Sequence, residues 1–295
     1  MEIRLLRYFI AVANQQNISA AAQYLHISQP TLSRQLSDLE EELNTTLFIR
    51  GNRKVSLTPE GIFLLKKAKE IVGLVDKTTA NFSQQEETLS GEVYIGAGET
   101  KAMCVIAKSL KKLLDNYPAV QFHLYSGNAD DIMDKLDSGL LDFGIVIEPA
   151  DKKKYDYIQL PAIDTWGVLM HKNSPLAEQT AINPKELLDK PLIISRQTSV
   201  DSELSGWLGK SMEDLNIIGT YNLLYNAALM AEEKLGYVLC LDHLINTTGD
   251  SNLCFRPLIP QLTTNLNIIW KKHQIFSSAA QAFLEQLRTN LNLSN

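Results

Sequence analysis

Long apolar runs are missing from this 295-residue chain, and no stretch approaches the roughly 20 consecutive apolar residues that a bilayer-spanning helix requires. Its first residues, Met1–Arg7, lead into an amphipathic pattern instead of the apolar core of a secretion signal, so a cytoplasmic protein is the expectation. Cysteine is scarce. Cys104, Cys240 and Cys254 are odd in number, far apart and without C-x-x-C spacing, which argues against a disulfide framework or a zinc knuckle. Their apolar neighbours make buried structural thiols the expectation. Low-complexity tracts are absent too. A chain with 45% hydrophobic and 21% charged residues has the balance of an ordinary globular protein, long enough for a small module plus one or two larger domains.

Enzyme signatures are equally hard to find. There is no G-x-G-x-x-G after a strand pattern, no G-x-x-x-x-G-K-[ST], no G-x-S-x-G and no H-E-x-x-H. His26, His123, His171, His243 and His273 are scattered, without an acid or nucleophile at a recognisable spacing. The sequence proposes no reaction, no catalytic residue, no cofactor and no metal ligand.

The net charge of −6 argues against a nucleic-acid partner until the chain is divided. Residues 1–60 hold six Lys/Arg and six Asp/Glu, residues 61–90 four of each, and the remainder 18 against 24, so the acidic excess lies after residue 90. Within the first part, Arg34, Arg50, Arg53 and Lys54 fall on one expected surface, while Glu40, Glu41 and Glu42 fall at a helix end away from it. Local charge governs phosphate contact.

Leu5, Leu6, Phe9, Val12 and Ala13 recur at helical spacing, and Asn14–Asn17 ends that helix. Ser19 reads as the cap of a short second helix with small residues Ala20–Ala22 and an anchor, Leu25. Ser28 caps a third, with Pro30 in its first turn and a core stripe of Leu32, Leu36, Leu39 and Leu43. The opposite face carries Gln29, Thr31, Ser33 and Arg34, short hydrogen-bonders plus one cation, suited to base edges and nearby phosphates. Any amphipathic helix has a polar face, but the following residues add context. Leu47–Arg50, Gly51–Arg53 and Lys54–Leu57 read as a two-stranded hairpin with a cationic tip, a wing beside the groove.

In order, Leu6-x-x-Phe9, Ser19-x-Ala21-Ala22-x-x-Leu25, Ser28-Gln29-Pro30-x-Leu32-Ser33, Leu39-Glu40-x-x-Leu43, Leu47-Phe48-x-Arg50 and Leu57-Thr58-x-x-Gly61 resemble the LysR-type transcriptional regulators. That resemblance implies that Gln29, Pro30, Ser33 and Arg34 approach bases, with Arg50, Arg53 and Lys54 along the backbone.

Thr58-Pro59 is a strong helix start, and Leu64, Ala68, Ile71, Val75, Thr78 and Phe82 step by fours and threes. One helix of roughly 30 residues, about 45 Å long, is expected, its seam facing a second copy of the chain. The resemblance makes it the family's linker helix and allows a homodimer or a homotetramer.

After Ser90-Gly91, strands and helices alternate. Strands are expected at Glu92–Ala97, Val120–Tyr125, Asp142–Ile147, Trp166–His171, Pro191–Ser195 and near Ile217–Tyr221. Helices are expected at Ala102–Leu114, Ala129–Ser138, around Glu203–Leu215 and at Asn226–Lys234. The succession argues for a parallel, doubly wound α/β sheet in two lobes. The expected organisation is a winged helix-turn-helix at 1–58, a linker helix at 59–89 and an effector domain at 90–295. Its first lobe takes about 90–162 and 268–295, its second about 163–267.

Ligands in such sheets sit beyond the carboxyl ends of strands and between lobes. Those places are Gly96–Lys101, Ser126–Asp130, Ile147-Glu148 and Ser195–Asp201. There Thr100, Asn128, Thr198 and Ser199 offer neutral hydrogen bonds, and Lys101 and Arg196 offer charge. Each position equally fits a solvent-facing loop or a cap, Thr100 capping the helix that follows. Gly96-x-x-x-Thr100, Gly139-x-x-Asp142 and Ala231-x-x-x-x-Gly236 fit the family's effector domain, which resembles a periplasmic solute-binding fold. The resemblance places Thr100, Asn128 and Thr198, Ser199 and Val200 at the effector, and Lys101 and Ile147, at the same strand ends, complete the expected set. Glu99 departs from it, since a proline commonly precedes the threonine, and an acid at the pocket mouth weakens the case for a simple carboxylate effector. Peroxide-sensing relatives place a cysteine pair near the Thr198 loop, and residues 196–210 contain none.

A secreted solute-binding protein is contradicted by the first sixty residues. An architectural DNA-binding protein would not need some two hundred further residues. The expected function is therefore a sequence-specific transcriptional regulator. It binds twofold promoter DNA, a small effector between the lobes, itself and RNA polymerase, and effector-driven lobe closure resets the paired winged helices.

Overall fold

Helix ends set the frame of the first part of the chain. The structure is a computed structural model that describes residues 1–50, 54–82, 89–196 and 204–293. It divides into two units, Met1–Ser83 and Gln84–Asn295. Helix α1, Ile3–Gln15, buries Leu5, Leu6, Phe9 and Val12 and stops where Gln16 turns left-handed. Helix α2, Ile18–Tyr24, is capped by Asn17, whose Oδ1 accepts the Ala20 N–H at 2.9 Å. The expected cap, Ser19, lies inside the helix. Asn17 is already extended where α1 ends and meets the free N–H groups first.

Helix α3, Gln29–Glu42, begins at Ser28, whose Oγ accepts the Thr31 N–H at 3.3 Å. Leu32, Leu36 and Leu39 are fully buried, each stabilising the unit by roughly 1.5–3 kcal/mol. Leu43, expected to continue that stripe, is the C-cap and is 36% exposed, because the helix ends one residue earlier. Strands β1, Phe48–Arg50, and β2, Val55–Leu57, form the expected antiparallel hairpin. Glu40 pins it to α3, its Oε1 accepting the Leu47 N–H at 2.7 Å and the Phe48 N–H at 3.1 Å. Phe48 in turn packs on Phe9, ring centroids 5.1 Å apart.

Thr58 then opens helix α4, Pro59–Phe82. Its hydroxyl accepts the Gly61 N–H at 2.9 Å and donates to the Thr46 carbonyl at 2.7 Å. The helix has 24 residues and is about 36 Å long at the α-helical rise; the rest of the expected helix lies at 83–88, outside the described residues. The first half of its seam packs within the chain, while Val75 is half-buried and Thr78 exposed. Leu64 and Ala68 are buried in the unit's own core with α1, Val72 beside them and Ile71 packed against that core. Among the described side chains of α4, Ile62, Phe63 and Leu74 are the large apolar ones left exposed. A repeat identifies an apolar face and not what covers it, and here α1 covers it.

In the second unit, β3 (Gly91–Ala97), α5 (Met103–Asn116), β4 (Val120–Ser126), α6 (Ala129–Asp137) and β5 (Phe143–Ile147) alternate as expected, with β3 pairing parallel to both β4 and β5. Gly139, at φ 74°, closes α6. Three residues further on, Asp142 accepts the Tyr94 N–H at 2.9 Å.

Strand β6 runs from Tyr155 to His171, eleven residues longer at its start than expected. The added length pairs with β11, Thr263–Lys271, which no expected strand covered. Strands β7 (Leu192–Ser195), β8 (Ile217–Tyr221), β9 (Tyr237–Leu241) and β10 (Leu253–Pro257) build the second lobe on the far end of β6. The strand order is β4-β3-β5-β11-β6-β9-β7-β8, with β10 also on β6. Pairing is parallel within β4-β3-β5 and β9-β7-β8 and antiparallel wherever β6 and β11 take part, so the sheet is mixed.

Each lobe has its own core, one around Ile95, Phe143, Ile268 and Phe283, the other around Trp166, Val168, Leu192 and Leu239. The helix expected around Glu203–Leu215 is helical only at 204–208. Gly209, at φ 67°, ends it, and Met212–Asp214 is a short 3-10 turn. Cys240 and Cys254 are buried, but Cys104 is exposed on α5, contrary to expectation, because it falls on the solvent side of an amphipathic helix. No helix among the described residues is long and apolar enough to cross a membrane.

A Cβ added at Gly61 would stand 2.2 Å from the Leu47 carbonyl oxygen, a backbone atom that cannot swing aside. Gly61→Ala is expected to separate α4 from the hairpin and to lose about 1–3 kcal/mol in urea denaturation of the full chain. An unchanged midpoint would refute this account of the junction.

Candidate nucleic-acid interface and ligand cleft

The Ser28 cap leaves the first turn of α3 at the surface of the first unit. Gln29, Pro30, Thr31 and Arg34 are exposed there and Ser33 is half-buried. The Thr31 hydroxyl lies 2.7 Å from that of Ser28, so Thr31 helps hold the cap. Among the described residues, no carboxylate lies within ion-pair range of Arg34. The nearby acids are engaged elsewhere: Glu40 on the hairpin backbone, Glu42 with the amino group of Met1. A helix N-terminus with unpaired N–H groups, short polar side chains and a free guanidinium suits contact with phosphates and base edges. On the wing, Arg50 pairs through its backbone with Val55 and Lys54 is exposed; Arg53, at the tip, lies outside the described residues.

In the second unit a cleft lies at the carboxyl ends of β3, β4, β5, β7 and β8, where an open α/β sheet binds ligands. From the first lobe come Gly98, Glu99, Gly127, Asn128 and Ile147; from the second, Trp166, Ser195, Tyr221, Asn222 and Leu224. Ile147 packs against both cores. Asn128 caps α6, accepting the Asp131 N–H at 2.8 Å, which fixes its side chain at the rim.

Of the residues expected at an effector, Asn128 and Ile147 line this cleft and Thr100 and Lys101 do not. Lys101 is exposed. Thr100 is buried with both hydrogen-bonding roles in use: its hydroxyl donates to Asp164 Oδ2 at 2.6 Å and accepts the Ala102 N–H at 3.0 Å. Thr198, Ser199 and Val200 lie outside the described residues, and Arg196 is exposed at their edge.

Two features of the cleft were absent from the expected set. Glu99, in the first lobe, accepts the backbone N–H of Leu224, the first residue of the helix Leu224–Glu232 in the second. Trp166 is 3% exposed, and its indole Nε1 is a buried donor without an acceptor among the described residues. The sequence marks Glu99 only as an acid beside the threonine, and Trp166 only as an apolar strand residue. The partner of Glu99 lies 125 positions away.

Burial pushes the Tyr221 phenol well above its usual range, with Cys240 and Glu99 adding to the effect, and its hydroxyl donates to the Leu239 carbonyl at 2.7 Å. Burial likewise raises the Cys240 thiol, with Asp242 assisting, so that it stays neutral and unreactive. Among the described residues no cluster of three or more His, Cys, Asp or Glu side chains is placed to hold a metal ion.

Comparison with known proteins gives concordant matches. Residues 3–62 match the family described as bacterial regulatory helix-turn-helix protein, lysR family, and residues 86–292 match the LysR substrate binding domain. The chain is similar to the uncharacterized HTH-type transcriptional regulator YwbI of Bacillus subtilis, 29% identical over 99% of this chain and 97% of that one. It is also similar to the DNA-binding transcriptional dual regulator OxyR of Escherichia coli, 31% identical over 66% of this chain and 63% of that one. Among solved structures, full-length CbnR complexed with its target DNA shares the fold, with a TM-score of 0.74 at 20% identity over 98% of this chain and all of that one.

Asp164 lies on β6 two residues before Trp166, and its carboxyl is held above the usual range chiefly by burial, with the Thr100 hydrogen bond and His243 working in the opposite sense. Ionising it in the folded state therefore costs more than in the unfolded chain. That cost is absent at low pH and is imposed as pH rises from the unfolded into the raised folded range. Asp164→Asn, which retains an acceptor for Thr100, is expected to melt higher than the natural chain at pH 7.5. The advantage should shrink as pH falls towards 4; an advantage independent of pH in calorimetry would refute it.

Proposed function

The chain belongs to the LysR family of DNA-binding transcriptional regulators, whose activity an effector modulates, and from that premise we propose which surfaces it uses for each task. Residues 1–58 act as the winged helix-turn-helix, 59–89 as the linker helix and 90–295 as the effector domain. Gln29, Pro30, Thr31, Ser33 and Arg34 enter the major groove, and Arg50, Arg53 and Lys54 hold the adjacent backbone. The observation that carries this reading is the exposed first turn of α3, with its unpaired Arg34 and its cap held by Ser28 and Thr31.

The effector enters the cleft lined by Asn128 and Ile147 and is also contacted by Thr198, Ser199 and Val200. Thr100 and Lys101 act at one remove, Thr100 through Asp164. A change in lobe closure is passed to the paired DNA-binding units and alters their spacing on DNA. The protein works in the cytoplasm as a homodimer or homotetramer and engages RNA polymerase at its promoters. Pairing uses the apolar side of α4 that α1 leaves uncovered. Phe63 and Leu74 are eleven residues, about three turns, apart and so lie along one line of the helix.

Arg34→Ala is expected to lose about 1–3 kcal/mol of affinity for a specific promoter duplex while changing little on random duplex. Lys54→Ala should weaken both alike and reduce the salt slope by about one. Equal losses on both duplexes for both variants, measured by fluorescence anisotropy across salt concentrations, would overturn the assignment.

Footprinting should show two protected half-sites whose spacing or bend changes when effector is added. The double variant Phe63→Asp, Leu74→Asp should sediment as a monomer and protect half as much. A dimeric double variant refutes the pairing surface, and a footprint indifferent to effector refutes the coupling.

A further inference from the structure

The cleft holds two groups whose chemistry limits what can occupy it. Glu99 already supplies an anion to the N-terminus of the helix Leu224–Glu232, accepting the Leu224 N–H across the cleft. That is where a helix dipole and free N–H groups would otherwise receive the carboxylate of a ligand. A second carboxylate brought to the same place would face an ionised acid, and two carboxylates sharing a site cannot both stay charged without a large penalty. Trp166 contributes the complementary demand. Its Nε1 is a donor only, buried, and without an acceptor among the described residues, and a buried donor is better off with an acceptor. Both residues line one cavity of about 50 Å³. At roughly 10–15 Å³ for a water, that is room for a small functional group and little more.

We propose that the cleft recognises a small neutral or cationic molecule through an N–H donor directed at Glu99 and an adjacent carbonyl-type acceptor directed at Trp166, the primary amide being the smallest group that offers both, and that it rejects simple carboxylates. This rests on the reading of the cleft as the effector site and adds the chemistry of its occupant. Asn128, held at the rim by its cap, is placed to meet the remainder of the ligand. Glu99 joins the two lobes through the Leu224 N–H, so a ligand that engages Glu99 competes with that N–H and changes the contact between lobes.

Propionamide and propionate differ only in an amino group against a charged oxygen, and each can be titrated into the full-length protein labelled with nitrogen-15. The indole resonance of Trp166, identified by its loss in Trp166→Phe, reports an acceptor reaching Nε1. The amide resonances of Asn128 and Ile147 report occupancy of the cleft. Propionamide is expected to move the Trp166 indole signal and propionate to leave it in place. In Glu99→Gln, which removes the charge, the preference for propionamide over propionate should fall by at least roughly tenfold.

Propionate moving the Trp166 signal of the natural protein as readily as propionamide would overturn the ligand class and leave the cleft as the effector site. An undiminished preference in Glu99→Gln would remove Glu99 from the recognition. If neither compound moved Trp166, Asn128 or Ile147 up to its solubility limit, both the class and the placement of the effector would be wrong.

Discussion

Two strands carry the whole of the second unit from one lobe to the other, and their pairing constrains everything around the cleft. β6 leaves the first lobe and enters the second without a break, and β11 returns alongside it, antiparallel, from Thr263 opposite Thr165 to Lys271 opposite Tyr155. Asp164 and Trp166 sit where β6 passes from one core to the other, so the cleft floor is part of a continuous hydrogen-bonded ladder. The Trp166 N–H donates to Leu262 at 2.9 Å, and its carbonyl accepts from Leu258 at 3.1 Å. Next along, Gly167 has no Cβ because one would lie 2.1 Å from the Phe255 ring of β10. A hydrogen bond from the Thr264 hydroxyl to the Glu148 carbonyl, 2.6 Å, secures the loop after β5 to the same ladder. With the floor fixed in this way, the lobes are left to differ mainly at the rim, where Glu99 meets Leu224.

The first unit manages charge by distance along the chain. Lys/Arg and Asp/Glu are equal in number over residues 1–60, yet Glu40 is spent on two backbone N–H groups and Glu42 on the chain's own amino group. Arg7 similarly pairs with Asp76 of α4. Those acids therefore leave Arg34, at the start of α3, without a carboxylate partner among the described residues, so a chain that is acidic as a whole still keeps a cation at that helix start.

What the sequence made legible was chiefly local. Ser28 and Thr58 each cap a helix through an N–H three residues on, so cap rules and motif spacing located α3, the hairpin and the start of α4. Asn17 displaced Ser19 for an equally local reason, two cap-forming residues competing for one helix end. The leucine repeat of α4 was legible as a repeat, but which of its faces α1 would cover depends on the tertiary packing of Leu5, Leu6 and Phe9. The same limit hid β11 and the first half of β6, whose mutual pairing spans a hundred residues, and the roles of Glu99 and Trp166. Their side chains acquire meaning only when the two lobes close on each other. Cys104 was misplaced because apolar neighbours in sequence do not say which side of an amphipathic helix a residue occupies.

The path of the chain also sets an order of assembly. Every buried member of the second lobe's cores lies between Trp166 and Leu258, whereas the first lobe draws Leu266, Ile268 and Trp270 from β11 and Phe283 and Leu287 from the last helix. On the ribosome the second lobe is therefore complete while the first still waits for its central strand, although the first begins earlier in the chain. The lobe that starts the domain is the last to close, and it closes around a finished neighbour. A stop codon a few dozen residues early would unmake the lobe nearest the DNA-binding unit in sequence and leave the distal one able to fold.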